Sequence, residues 1–232
     1  MIWQICGFLT LASDVYMNNI YVGIDPSVNS TGVCISVYDD NDNLLEEKFY
    51  IVKPDKLTKK EDAAEMRHID MLAYLIYDKE PTTTDNNADN ERNKAINFMQ
   101  IVEKVRQVIF QTDYRYYRMN RIYICQEGIS YGSSTRTKSI FDLSGLNFMF
   151  REMVINSSKG RSVHLIVATP GEIKKFATGI GNCKKEMNID LFKLVEPELA
   201  EKIPKADDIA DAYYMSKFAR HIYLENNKED NN

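Results

Sequence analysis

Five acids stand where the residue pattern ends a strand or opens a helix. Asp25 closes Val22-Gly23-Ile24-Asp25, and Glu127 closes Ile124-Cys125-Gln126-Glu127. Asp207, Asp208 and Asp211 lie in Ala206-Asp207-Asp208-Ile209-Ala210-Asp211-Ala212. Asp208 and Asp211 are three residues apart and Asp207 and Asp211 four, so either pair can share one helical face. Apolar Ile209, Ala210, Ala212 and Tyr213 place that helix against a sheet, with its acids at a site mouth. Carboxylates gathered from separate elements repel one another unless they hold a hard cation. Two Mg²⁺ ions about 3.5–4 Å apart, bridged by a shared carboxylate, stabilise the attacking and leaving oxygens of a phosphodiester. The plainer reading of each acid alone is a turn residue or a helix cap, and Asp207 fits an N-cap. The joint order strand, strand, helix sets the group apart.

The elements that must position these acids follow from periodicity. Residues 20–25 read as a short buried strand, and 32–38 as a second, alternating and rich in β-branched residues. Residues 39–43 form a turn cluster, and 47–52 form a third strand that Pro54 ends. Residues 59–77 read as a helix with Met66, Ile69, Leu72 and Ile76 near one face. Residues 78–91, with Pro81, a threonine run and Asn/Asp, read as an inserted mobile loop. A second amphipathic helix covers 92–110, with Ile96, Met99, Val102, Val105 and Ile109 at helical spacing. Strands at 122–125 and 163–168 bracket a helix at 139–155, and further helices cover about 170–177, 184–194 and 206–223. This order predicts an α/β fold: a mixed five-stranded sheet, three antiparallel strands then parallel ones, flanked by helices. One domain is expected over 20–224, between an N-terminal extension (1–19) and a polar tail (225–232).

Composition excludes several classes. With 44% hydrophobic and 27% charged residues in 232, the chain has a core and is neither wholly disordered, collagen-like nor a polytopic membrane protein. Residues 1–12 are apolar, with Trp3, Phe8 and Leu9, but lack a positive signal region and are too short to span a bilayer. Met17 is a second plausible start. Cys6, Cys34, Cys125 and Cys183 form no CxxC pair, which argues against a zinc site or disulfide framework and for a reducing, cytoplasmic compartment. The net charge of −5 gives no overall basic footprint for nucleic acid. Residues 78–91 carry −4 and the tail from Glu225 −2, so the rest is close to neutral and local basic patches can dominate a groove.

Four blocks in order resemble the RuvC-type Holliday-junction resolvases, within the RNase H-like superfamily. Val22-Gly23-Ile24-Asp25-Pro26-Ser27, running on to Thr31-Gly32, is similar to the family's opening G-[IL]-D-P-G…TG block. Gln126-Glu127 follows a hydrophobic strand. Pro170, Ile173, Lys174, Gly179-Ile180-Gly181 and Lys185 keep the family's P-x-x-[VI]-K, G-x-G and second-lysine spacing. Asp208 and Asp211 complete the set. The resemblance, over about residues 20–220, implies a Holliday-junction resolvase that cuts four-way or other branched DNA by paired phosphodiester cleavage. It implies that Asp25, Glu127, Asp208 and Asp211 bind two Mg²⁺ (Mn²⁺ substituting), and that Lys174 and Lys185 serve the scissile strand. It also implies a homodimer, since a four-way junction is two-fold symmetric. Arg136, Lys138, Lys174, Lys175, Lys184 and Lys185 are the candidates for DNA contact. Ribonuclease action on RNA–DNA hybrids, or a catalytically inactive nucleic-acid-binding module, are the alternatives on the same fold.

The chain departs from the family in three places. Ser27 replaces a glycine, Ser130 stands where an aromatic is common with Tyr131 one further on, and the stretch between Asp25 and Glu127 is long. That divergence has the look of a phage or viral version. Phe141, Leu143, Leu146, Phe148 and Phe150 can supply an apolar interface or ordinary core. The aromatics and arginines of residues 114–121 can stack bases and grip phosphates; the favoured reading is a solvated loop whose stems cover apolar surface.

Overall fold

The structure, a computed structural model, describes residues 17–55, 71–82, 86–110, 120–128, 137–160, 162–203 and 207–229. Within these, six strands form one sheet: β1 (Asn19–Asp25), β2 (Thr31–Tyr38), β3 (Leu44–Pro54), β4 (Leu72–Tyr77), β5 (Arg121–Glu127) and β6 (Ser162–Ala168). Their order is β4-β3-β2-β1-β5-β6. β1, β2 and β3 pair antiparallel, while β5 joins β1 and β6 joins β5 in parallel. The expected mixed sheet is therefore present, with one strand more than the five anticipated.

The additional strand is β4. The helix expected over 59–77 is contradicted at its end, since Leu72–Tyr77 pairs parallel to β3, Phe49 opposite Leu72 and Pro54 opposite Tyr77. The run Leu-Ala-Tyr-Leu-Ile-Tyr has the aromatic and branched content of a strand. Helical spacing of its apolar residues gave way to the open backbone edge of β3, which local pattern cannot reveal. Residues 59–70 lie outside the described residues.

Six helices are described: α1 (Asn87–Phe110), α2 (Thr137–Ser157), α3 (Pro170–Thr178), α4 (Lys185–Val195), α5 (Pro197–Lys202) and α6 (Asp207–Glu229). α1 begins five residues before the expected start, and its buried face carries Phe98, Ile101, Val102, Val105 and Ile109. Met99 is exposed. α6 continues to Glu229, beyond the expected 223. No described helix is long and apolar enough to cross a membrane.

Side chains alternate across the sheet, so each strand feeds two cores. Ile20, Val22, Ile24, Val33, Ile35, Ile122 and Ile124 face α1 and α2, packing with Val105, Ile109, Leu146 and Phe150. Tyr21, Cys34, Phe49, Ile51, Tyr123 and Cys125 face the opposite way, against Phe192, Ile209, Tyr213 and Met215 of α4 and α6. By the same alternation, Asp25 and Glu127 end their strands on the α6 side. Gln126 points the other way, and its Nε2 donates to the Asn147 carbonyl (3.0 Å) and side-chain oxygen (2.6 Å) of α2.

Gly23 lets α6 approach. A Cβ there would stand 1.9 Å from the Ala212 carbonyl oxygen and 2.6 Å from the Ser216 nitrogen. Small residues face it: Ala212 and Ser216, one turn apart, are both fully buried. The Ser216 hydroxyl donates to the Tyr21 carbonyl (3.0 Å) and lies 2.9 Å from the Ser36 hydroxyl. Lys217 pairs with Glu47 in the same layer. These polar contacts fix the register of α6 on the sheet, which places Asp211 near the end of β1.

Candidate active site

Asp25, Glu127 and Asp211 line a cavity of about 210 Å³ together with Lys174, Lys185 and Asn188. Three elements bring the acids in. The β1–β2 loop after Asp25 is closed by Thr31, whose hydroxyl donates to the Ser27 carbonyl (2.7 Å) and accepts from the Ser27 amide (3.1 Å). At the end of β5 the Gly128 amide bonds the Ala168 carbonyl (2.7 Å), which holds the strand end beside β6. Asp211 comes from the first turns of α6.

The lysines arrive through a helix and a turn. Thr169 caps α3 with a full capping box: its hydroxyl accepts from the Glu172 amide, and Glu172 returns to the Thr169 amide at 2.7 Å. Gly179 ends α3 in the left-handed region (φ 78°), where glycine carries no side-chain penalty. The chain then folds back, and a Cβ on Gly181 would lie 3.1 Å from the Gly171 carbonyl oxygen. This return sets Lys174 and Lys185, eleven residues apart, against one cavity. Lys174 Nζ donates to the Cys183 carbonyl (3.2 Å). Lys185 Nζ lies 3.4 Å from carboxylate oxygens of both Asp207 and Asp211.

The electrostatics follow from this crowding. Burial first, and then the charge of Asp211, push the Glu127 carboxyl up to about 7, while Lys185 and Lys174 oppose the rise. Burial tends to lower Lys185, yet the charges of Asp211, Asp207 and Asp25 leave it above its ordinary value. The donors are carboxylates and one amide oxygen, and no histidine or cysteine is among the described lining residues. That set suits a hard cation. Among the described residues, no three His, Cys, Asp or Glu side chains converge tightly enough to chelate an ion as placed. The Lys185 ammonium stands among the acids and supplies their positive charge.

The Glu127 environment sets a pH dependence. The folded protein keeps a proton that the unfolded chain releases at about 4.5. The associated stabilisation is complete below about 4.5 and is lost as pH rises through about 7. Urea unfolding of metal-free protein should show this as a decline between about pH 4.5 and 7 that levels off above, on the order of 2–3 kcal/mol. Glu127→Gln should flatten most of it; an unchanged slope in that variant would contradict the buried placement.

Of the eleven acidic and basic residues singled out by sequence, five meet at this cavity: Asp25, Glu127, Asp211, Lys174 and Lys185. Lys175 and Lys184 are exposed and are not among its lining residues. Arg136 lies outside the described residues, as do the side chains of Lys138 and Asp208. On α2, Leu146 and Phe150 are fully buried, whereas Phe141 and Phe148 are exposed. Asn188 escaped the sequence reading; its one signal was a position one turn beyond Lys185. The partnership of Asp207 with Lys185 was also missed.

No protein-family model matches the chain, and no curated protein does. Among solved structures the chain is similar to Thermus thermophilus RuvC, at 14% identity and TM-score 0.48, over 90% of this chain and 96% of that one. T. thermophilus RuvC in complex with Holliday junction substrate matches at 14% identity and TM-score 0.46, over 90% and 94%. The yeast mitochondrial Holliday junction resolvase Ydc2 matches at 13% identity and TM-score 0.47, over 88% and 78%.

Proposed function

We propose that the protein is a Mg²⁺-dependent, structure-selective endonuclease of RuvC type that cuts four-way junctions or other branched DNA. The carrying observation is the meeting of Asp25, Glu127 and Asp211, from β1, β5 and α6, with Lys174 and Lys185 at one cavity. Asp25, Glu127 and Asp211, with Asp208 three residues before Asp211 in the sequence, would hold two Mg²⁺ ions, Mn²⁺ substituting. Bound Mg²⁺ would supply the charge that stabilises the attacking and leaving oxygens of a phosphodiester.

The chain's own side chains orient the strand. Lys174, braced on the Cys183 carbonyl, directs its ammonium at a phosphate. Lys185 exchanges its acid partners for phosphate when DNA arrives. Lys175 and Lys184, both exposed, extend the positive charge, and Arg136 and Lys138 remain candidates for DNA contact on the sequence alone. A homodimer presents two cavities to a two-fold symmetric junction. Exposed Phe141, Phe148 and Ile155 on α2 and Met99 on α1 support such an apolar contact.

The test is incubation with a labelled four-way junction, a matched linear duplex and an RNA–DNA hybrid, each with and without Mg²⁺. Paired, symmetric, Mg²⁺-dependent nicks in the junction are the expected result. Preferred hybrid cutting would move the protein to ribonuclease action, and binding without cutting would indicate an inactive module.

A further inference from the structure

We propose that Asn188 is a positioning residue of the acid cavity that also gives its amide oxygen to the divalent cation held there. The inference rests on the cation-dependent reading above and assigns a role to a residue outside the four acids and two lysines.

Asn188 lies on α4 and is 1% exposed, yet its side chain lines the cavity with Asp25, Glu127 and Asp211. Its Nδ2 donates to Asp211 Oδ1 at 3.4 Å. Its Oδ1 is buried and has no hydrogen-bond partner. Buried side-chain acceptors almost always find a partner, so this oxygen keeps its lone pairs open to a donor or a cation. The orientation is set by Asp211: turning the amide over would put two acceptor oxygens against each other. With Nδ2 held by Asp211, Oδ1 must point elsewhere.

α4 thus meets Asp211 twice. Lys185, one turn earlier, holds Oδ2 at 3.4 Å, and Asn188 holds Oδ1 at 3.4 Å. The two contacts differ when a cation arrives. The Lys185 ammonium competes with it for the same carboxylate charge, whereas the neutral amide does not repel it. An amide oxygen is a suitable hard ligand, and it adds no negative charge to acids that already crowd one another.

The experiment measures Mn²⁺ binding by electron paramagnetic resonance and calorimetry on the full chain, without DNA. Native protein, Asn188→Leu, Asn188→Asp and Asp25→Asn are compared. Asn188→Leu removes both amide functions at similar volume and should weaken Mn²⁺ about 10–100-fold, the usual cost of losing a group that orients or completes a metal site. Asn188→Asp keeps an oxygen but loses the donor that positions Asp211, and should bind more weakly than native yet clearly more tightly than Asn188→Leu. A purely structural amide would leave Asn188→Asp as impaired as Asn188→Leu, which would overturn the oxygen's role. Native-like binding by Asn188→Leu, with binding lost in Asp25→Asn, would also overturn it while leaving the cation reading intact. Native protein without saturable Mn²⁺ binding would overturn both. If Asn188→Leu does not fold, Asn188→Ala reads the same loss.

Discussion

Asp25→Asn should reduce Mg²⁺-dependent cleavage of a four-way junction by about three orders of magnitude while leaving junction binding within a few-fold. Asp25 ends β1 beside Glu127 and Asp211, where its carboxylate adds to the negative charge around Lys185. Asparagine keeps the shape and removes the charge that would hold the cation. A charge worth several kcal/mol in the transition state translates into this loss, since each 1.36 kcal/mol is tenfold in rate. Binding survives because a less negative cavity repels DNA less. Single-turnover cleavage, with gel shifts in Ca²⁺, separates the two effects. Cleavage within tenfold of native would remove Asp25 from the chemistry.

Gly23→Ala should destabilise the fold by about 3 kcal/mol or more, above the usual cost of overpacking. The added Cβ meets backbone, the Ala212 carbonyl oxygen at 1.9 Å and the Ser216 nitrogen at 2.6 Å, so no rotamer change relieves it. α6 must lift from β1, and Asp211 moves with it. Chemical denaturation and cleavage of the same preparation should therefore fall together, with cleavage falling further than the unfolded fraction explains. A variant of native stability would mean that α6 does not seat on β1 at Gly23.

Much of this arrangement was legible in the residues. The strands ending in Asp25 and Glu127 were found because alternating, β-branched runs stop at a polar residue. α3 and α4 were placed within a residue or so, because Pro170 opens the first and the Gly179-Ile180-Gly181 turn separates the two. What stayed hidden depends on partners distant in sequence. β4 exists because β3 offers an edge, and its own residues also suit a helix. The buried face of α1 is rotated away from Met99 because Phe98 and Ile101 meet the sheet and α2. Nothing in the residues around Asn188 marks it beyond its spacing from Lys185; only the packing of α4 against α6 shows that it is buried on Asp211. Gly23 read as part of a motif, while its physical role, contact with the backbone of α6, needs both elements in place.

The central claim is that the acids of β1, β5 and α6 form one divalent-cation site. Crystals of the protein soaked in Mn²⁺, with data collected at an energy where manganese scatters anomalously, test it most directly. The account predicts anomalous density among the carboxylates of Asp25, Glu127 and Asp211, displacing the Lys185 ammonium, and its loss in Asp25→Asn. Density only elsewhere, or an unchanged Lys185 pairing with Asp207 and Asp211 at saturating Mn²⁺, would contradict it.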